Sequence, residues 1–366
     1  MTLLLLLAGF ALLVAGAEAL VRGAVRLAGA TGLSPLVIGL TVVAYGTSAP
    51  EFAASLGAAL SGVPDLALGN VIGSNIANVL LILGATALFA PLVVSRQMVR
   101  LDVPIMLAVS LLVFALAFDG ALGRSDGLLL VAGGIAYSVL LVWLGKRHPG
   151  DAVVADVEAA PARWWRDLGF VLGGLAMLIL GARWLVEGAV AVAEAFGLSE
   201  LVIGLTVVAI GTSLPELATS ILAAMRGQRD LAVGNIVGSC IFNLLLVLGA
   251  TAAIAPGGIP VGPGVLGFDL PVMSAVALAC LPIFFTGHCI ARWEGALFLG
   301  YYVAYTAYLL LDSAGHDALP MFSLAMIAFV VPLTVITLAI VTLRAWRHRH
   351  RKAGTAVVAT PSRDDD

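Results

Sequence analysis

The chain has 366 residues, 61% of them hydrophobic and 11% charged, with a mean hydropathy of +1.08. A soluble domain carries roughly 25% charged residues, so water is not the main solvent here and a soluble enzyme is excluded. The net charge of −3 and the pI near 5.9 exclude the basic balance of a nucleic-acid binder.

A bilayer crossing takes about 20 mostly apolar residues. Apolar runs of that order fall at 3–27, 34–60, 66–91, 101–118, 125–144, 167–193, 199–225, 230–255, 268–286, 290–311 and 319–343. They predict an all-α polytopic membrane protein with eleven helices, numbered 1 to 11. Ala15-Gly16-Ala17 in the first run looks like a signal-peptide cleavage site. No basic residue precedes Leu3, however, and the run continues past Glu18, so it reads as a mature helix.

Arginine and lysine collect in cytoplasmic loops. With the N-terminus outside, Arg22, Arg26, Arg96, Arg100, the link after helix 5, Arg226, Arg229, Arg292 and the basic tail all face the cytoplasm. Only Arg124 faces outward, a split of about seventeen to one. The expected location is a cell membrane, with the C-terminus cytoplasmic. The expected division is a first half over 1–144, a link over 145–166, a second half over 167–311, an extra helix over 312–345 and a basic tail over 346–366. That link is shorter than the roughly 50 residues a folded regulatory domain needs.

The second half repeats the first. Shifting the sequence by 165 positions lays 34–91 over 199–256 without a gap, and about 38 of 58 positions are identical. "VIGLTVVAYGTSAPEFAAS" becomes "VIGLTVVAIGTSLPELATS", and "DLALGNVIGSNIANVLLILGAT" becomes "DLAVGNIVGSCIFNLLLVLGAT". Each half holds five crossings, an odd number, so the second copy lies upside down relative to the first. Two inverted five-helix repeats are a common construction of secondary transporters, with the substrate site near the midplane. At the same shift Glu18 and Arg22 overlay Arg183 and Glu187, two i,i+4 pairs with the charges exchanged. These read as charge-neutralising structure near helix ends.

Glu51 and Glu216 lie well inside apolar runs, where a carboxylate costs roughly 2.5–3.5 kcal/mol. Thr47, Ser48 and Glu51 share one helix face, and Thr212, Ser213 and Glu216 repeat the arrangement. Pro50 and Pro215 lack an N–H, which deprives the carbonyls of Gly46 and Gly211 of their helical partners. The next helix of each half offers Ser74 with Asn78, and Ser239 with Asn243, again four residues apart. Carboxylate, hydroxyl and peptide oxygens together suit hard cations, above all Ca²⁺ with its six to eight oxygen ligands. Two glutamates match the charge of one Ca²⁺, and competing ions sharing one set of oxygens give exchange. A single glutamate of this kind can equally be a protonated structural group; the duplication of the whole set favours an ion site. Gly69 with Gly73, and Gly234 with Gly238, are small-residue pairs that let helices approach closely. Asp65, Asp102, Asp230 and Asp269 sit near predicted helix ends, where solvent or a helix N-terminus accounts for them. Three cysteines without paired spacing, and histidines confined to segment ends and polar stretches, speak against a zinc centre or a complete disulfide framework.

At these residues the chain resembles the sodium/calcium exchanger family of the calcium:cation antiporters, in its compact prokaryotic form. The resemblance rests on "GTSAPE…GNVIGSNIAN" and "GTSLPE…GNIVGSCIFN" and spans most of residues 1–311. It implies ten helices in two inverted halves, with ions held by helices 2, 3, 7 and 8. It also implies that helices 1 and 6 slide across the rest to expose the site alternately to each side. The implied ligands are Glu51, Thr47, Ser48, the carbonyl of Ala44, Ser74 and Asn78 in the first half. In the second half they are Glu216, Thr212, Ser213, the carbonyl of Ala209, Ser239 and Asn243.

Helix 11 is extra to that plan and its "RAWRHRHRK" end reads as a cytoplasmic anchor. Asn243 stands where K⁺-dependent relatives have an aspartate, which argues against a K⁺ requirement. The expected activity is Na⁺/Ca²⁺ antiport, with Ca²⁺/H⁺ antiport as the nearest alternative and a cation channel as the alternative from another class. No HExxH helix or G-x-S-x-G nucleophile points to an enzyme. No resident cofactor, nucleic acid or obligatory protein partner is implied; the partners are the transported ions and the bilayer.

Overall fold

A computed structural model describes residues 2–147, 164–196, 209–341 and 343. The middle of the link (148–163), the start of helix 7 and the basic tail named above lie outside the described residues; the ends of the link, 145–147 and 164–166, are helical. The helices are α1 (Thr2–Thr31), α2 (Pro35–Thr47 and Ala49–Leu60), α3 (Pro64–Phe89), α4 (Met98–Asp119) and α5 (Arg124–Arg147). In the second half they are α6 (Trp164–Ala195), α7 (Ala209–Gly211 and Leu214–Met225), α8 (Arg229–Ile254), α9 (Val265–Phe285) and α10 (Arg292–Ser313), followed by α11 (Leu319–Val341). Each of the eleven apolar runs thus carries helix.

Local chemistry sets the ends. Ser34 caps α2 by accepting the Val37 N–H at 3.3 Å, and Pro35 occupies the first turn, where no N–H is needed. Gly62 (φ +80°) and Gly227 (φ +76°) make the left-handed turns that send α2 into α3 and α7 into α8. α10 is as long as its neighbours, but Tyr301, Tyr302, Tyr305 and Tyr308 make it less apolar.

α1 and α6 run antiparallel, as inversion of the second half demands, and share a seam of glycines seven residues apart. A Cβ on Gly9 would lie 2.8 Å from Gly181 O, and one on Gly16 the same distance from Gly174 O. Only glycine lets the two backbones come this close. The core is α3 and α8, with 78% and 89% of their most apolar stretches buried, against 6% for α11. Gly234 and Gly238 seat α8 against α2, with Cβ positions 2.8 Å from Leu36 O and Leu40 O. Among the described residues nothing lies against Gly69 or Gly73, and the segment that the repeat sets opposite them, 197–208, is outside those residues.

Two short antiparallel ladders tie the halves together at the ends of the bundle. Leu92–Val93 pairs with Cys289–Ile290, and Ala121–Leu122 with Ile259–Pro260. The helical periodicity of the flanking runs gave no sign of these two-residue strands.

Candidate cation site

The break in α2 falls at Ser48, two residues before Pro50. Its φ of −84° and ψ of 8° bend the two halves of the helix by 44°. Ser213 (φ −89°, ψ 6°) does the same before Pro215. A proline cannot continue the hydrogen-bond ladder, so the chain turns where the ladder is interrupted. Each turn sets a Thr-Ser pair and, three residues on, a glutamate at the middle of the bundle.

The two halves then exchange partners. Ser48 Oγ donates to Glu216 Oε1 at 3.0 Å, and Ser213 Oγ donates to Glu51 Oε1 at 3.4 Å. The Thr47 hydroxyl lies between Asn235 Oδ1, at 3.2 Å, and Glu216. The two carboxylates are within range of each other's charge. Glu51 and Glu216 are buried to 1% and 0% exposure, and none of the ion pairs among the described residues involves either. Each has one oxygen, Oε2, that is buried without a hydrogen-bond partner among the described residues.

Other oxygens on α3, α7 and α8 are in the same condition. Thr212 Oγ1, Ser239 Oγ, Asn78 Oδ1 and Asn243 Oδ1 are buried without a partner among the described residues, as is Asn243 Nδ2. Ser74 is buried on α3. Buried polar atoms are nearly always hydrogen-bonded, so these unpaired oxygens, and two carboxylates with no ion pair among the described residues, have capacity left for a ligand. The donors are all oxygen from carboxylate, hydroxyl and amide, the set that hard ions take.

Of the twelve positions expected from the sequence, hydrogen bonds and charge bring Thr47, Ser48, Glu51, Ser213 and Glu216 together. The Ala44 carbonyl is engaged, accepting the Ser48 N–H at 3.1 Å and, more weakly, the Thr47 hydroxyl at 3.4 Å; a ligand there would replace the longer of the two. Ala209 opens the described part of α7, where the Ser213 N–H turns to Ile210 O at 3.1 Å.

A supporting layer went unread in the sequence. Asn70 Nδ2 donates to Ser55 Oγ at 2.9 Å and to the Glu51 carbonyl at 3.2 Å, and Asn235 Nδ2 donates to Ser220 Oγ at 3.0 Å. These amides clamp the glutamate-bearing helices to α3 and α8. The signal was present: Asn70, Ser74 and Asn78 recur every four residues, as do Asn235, Ser239 and Asn243. Cys240 is also near, with Sγ 3.9 Å from the Asn75 carbonyl where α3 and α8 cross.

One expectation needs correcting. Asp102 is not accounted for by solvent or a free helix end: it is fully buried and receives hydrogen bonds from Tyr137 Oη (3.0 Å) and Gln97 Nε2 (3.3 Å). Asp269 is matched by Tyr305 Oη at 2.9 Å. Asp65 and Asp230 are exposed in the first turns of α3 and α8, where the helix dipole favours them. The predicted intrahelical pairs form, Arg22 with Glu18 at 2.5 Å and Arg183 with Glu187 at 2.9 Å.

Known proteins resemble this chain in sequence and in fold. A family model described as sodium/calcium exchanger protein matches residues 1–143 and 167–311. The chain is 42% identical over 314 residues to the putative antiporter CaxA of Alkalimonas amylolytica, covering 84% of this chain and 98% of that one. It is 34% identical over 339 residues to the sodium/calcium exchanger MaX1 of Methanosarcina acetivorans, covering 82% and 96%. Among solved structures, the sodium-calcium exchanger NCX_Mj superimposes with a TM-score of 0.73 at 30% identity, over 84% of this chain and 98% of that one. The chain belongs to the sodium/calcium exchanger family.

Proposed function

We propose that this antiporter exchanges Na⁺ for Ca²⁺ across a cell membrane by alternating access to the oxygen cage between α2, α3, α7 and α8. Glu51 and Glu216 are the charged ligands. Thr47, Thr212, Ser48, Ser213, Ser74, Ser239, Asn78, Asn243 and the carbonyls of Ala44 and Ala209 supply the neutral oxygens. The observation that carries this reading is the pair of buried carboxylates that, among the described residues, have no cationic side chain to balance them and one unpaired oxygen each. One Ca²⁺ neutralises the pair; Na⁺ ions take the same oxygens when it has gone, and occupancy by one excludes the other. The names of MaX1 and NCX_Mj support Na⁺ as the counter-ion. The distribution of arginine and lysine supports an N-terminus outside and a cytoplasmic C-terminus. α11 acts as an additional anchor rather than a transport element.

Ca²⁺ isotope flux in proteoliposomes, with Na⁺, K⁺ and H⁺ gradients imposed one at a time, tests the proposal. An outward Na⁺ gradient at clamped pH should drive uptake, and Glu216→Gln should stop it. Uptake driven by a pH gradient alone would instead establish Ca²⁺/H⁺ exchange, and Ca²⁺ currents without any counter-ion would establish a channel.

A further inference from the structure

α1 and α6 pack mainly on each other, which makes them one unit lying across the other helices. That unit does not sit symmetrically. α1 packs along Leu214–Met225 of α7, whereas its counterpart α6 barely touches Ala49–Leu60 of α2. Among the described residues, α1 therefore covers the bundle at one end, and α6 makes no matching cover at the other.

At the closed end stands an ion pair between helices. Glu18 of α1 accepts from Arg22 Nε through Oε1, and its Oε2 lies 2.9 Å from Arg226 Nη2. Arg226 follows α7 directly, in the turn made by Gly227. Of the ion pairs among the described residues, this alone joins two helices; the other two each lie within one helix. The 165-residue overlay sends Glu18 to Arg183, Arg22 to Glu187, and Arg226 to Ser61. Ser61 is uncharged and exposed at the end of α2. The tie consequently has no mirror image.

We propose that Glu18 and Arg226 are positioning residues of the exchanger: their ion pair holds the α1–α6 unit in the arrangement seen here and biases which face the central site opens to. Inverted halves alternate by moving one bundle against the other, and equal ties at both ends would cancel. A single tie does not cancel. The side chains of Glu18 and Arg226 are 22% and 56% exposed, a setting in which an ion pair shifts a two-state population by about two- to five-fold.

The test rests on the antiporter reading but not on its counter-ion. Ca²⁺/Ca²⁺ isotope exchange is measured in proteoliposomes of fixed orientation, and the half-saturating Ca²⁺ concentration is determined at each face. Glu18→Gln and Arg226→Gln should each raise that concentration at the Ser61 face, and lower it at the Arg226 face, so that their ratio moves by about two- to five-fold. The double variant should do no more than either alone. Ser61→Glu, which offers Arg183 a partner in the opposite arrangement, should move the ratio in the same direction as loosening the tie. Unchanged ratios in both single variants overturn the proposal.

A measurement independent of transport accompanies it. Spin labels on cysteines introduced at exposed Leu7 (α1) and exposed Leu128 (α5), in a Cys289→Ser background, should report a second distance in Glu18→Gln that is minor in the native protein. Identical distance distributions overturn the tie. Absent Ca²⁺ flux with a shifted distribution would sink the antiporter reading and leave the tie standing.

Discussion

Replacing Glu216 by glutamine alters little in shape and should abolish Ca²⁺ binding. Glutamine keeps an oxygen able to accept from Ser48 Oγ, now 3.0 Å from Glu216 Oε1, so the bond between the halves survives. What disappears is the charge, together with the lone pairs of Oε2, which has no hydrogen-bond partner among the described residues. Breaking a buried ionic arrangement by neutralising one member costs about 3–5 kcal/mol. At about 1.36 kcal/mol per tenfold, Ca²⁺ affinity falls between roughly a hundredfold and a few thousandfold. Thermal unfolding in detergent reads this directly. Ca²⁺ at about 100 times its dissociation constant stabilises the native protein by roughly 2.7 kcal/mol, whereas at that concentration the variant gains under about half a kcal/mol. Without Ca²⁺ the variant should melt no lower than the native protein, because a buried, uncompensated charge has been removed. A variant still stabilised by Ca²⁺ to the native extent would refute the assignment of Glu216 as a ligand. One that melts far below the native protein without Ca²⁺ would show that the carboxylate is structural.

The α1–α6 seam should reject Gly174→Val, whose Cβ would lie 2.6 Å from Leu20 N and 2.7 Å from Gly16 O; overpacking of this kind costs about 1–3 kcal/mol, visible as a lower melting temperature. Gly173→Ala, one residue away with open space around it among the described residues, should melt at or slightly above the native temperature. Tyr137→Phe removes a hydrogen bond from buried Asp102 and should destabilise by about 1–3 kcal/mol, with half-saturation for Ca²⁺ unchanged in flux assays. Truncation after Ser313 removes α11, which is tied to the body through Tyr301 Oη and Thr334 Oγ1 at 2.7 Å; flux per folded molecule should stay within about twofold of native, as expected for a span outside the inverted repeats.

Most of the fold was legible because the membrane imposes it: eleven apolar runs of crossing length have few alternatives to eleven helices. The site was legible for a different reason. A glutamate beside Thr, Ser and Pro is ambiguous once, but its duplication with Gly-Ser and Asn on the following helix singles out one constellation. What the sequence withheld are relations between distant residues. Ser48 serves Glu216 and Ser213 serves Glu51, a crossing that no spacing within one half encodes. Asp102 sits four residues into α4, near enough to an end to read as solvated, and only the approach of Tyr137 from α5 shows how it is buried. Arg226 looks like one more cytoplasmic arginine until α1 brings Glu18 against it.

In the proposed exchange cycle, the electrostatics that select a cation also couple the two directions of transport. With the site empty, two carboxylates remain buried without a counter-charge; at about 2.5–3.5 kcal/mol each, an empty crossing is disfavoured by roughly 5–7 kcal/mol. At about 1.36 kcal/mol per decade, that is a suppression of some four to five orders of magnitude relative to a neutralised site. In the proposed cycle, filling the cage with one divalent ion, or with monovalent cations, removes the penalty and lets the α1–α6 unit cross the bundle. On that reading Ca²⁺ moves one way only when another cation returns the site, and no separate gate against slippage is required. Glutamine at both positions should remove the coupling along with binding: the cage of Glu51→Gln/Glu216→Gln carries no charge that forbids an empty crossing. Spin labels at Leu7 and Leu128 should then report both arrangements in ion-free buffer, while the native protein holds one. A double variant as immobile as the native protein without ions would mean that packing, not charge, restrains the empty exchanger.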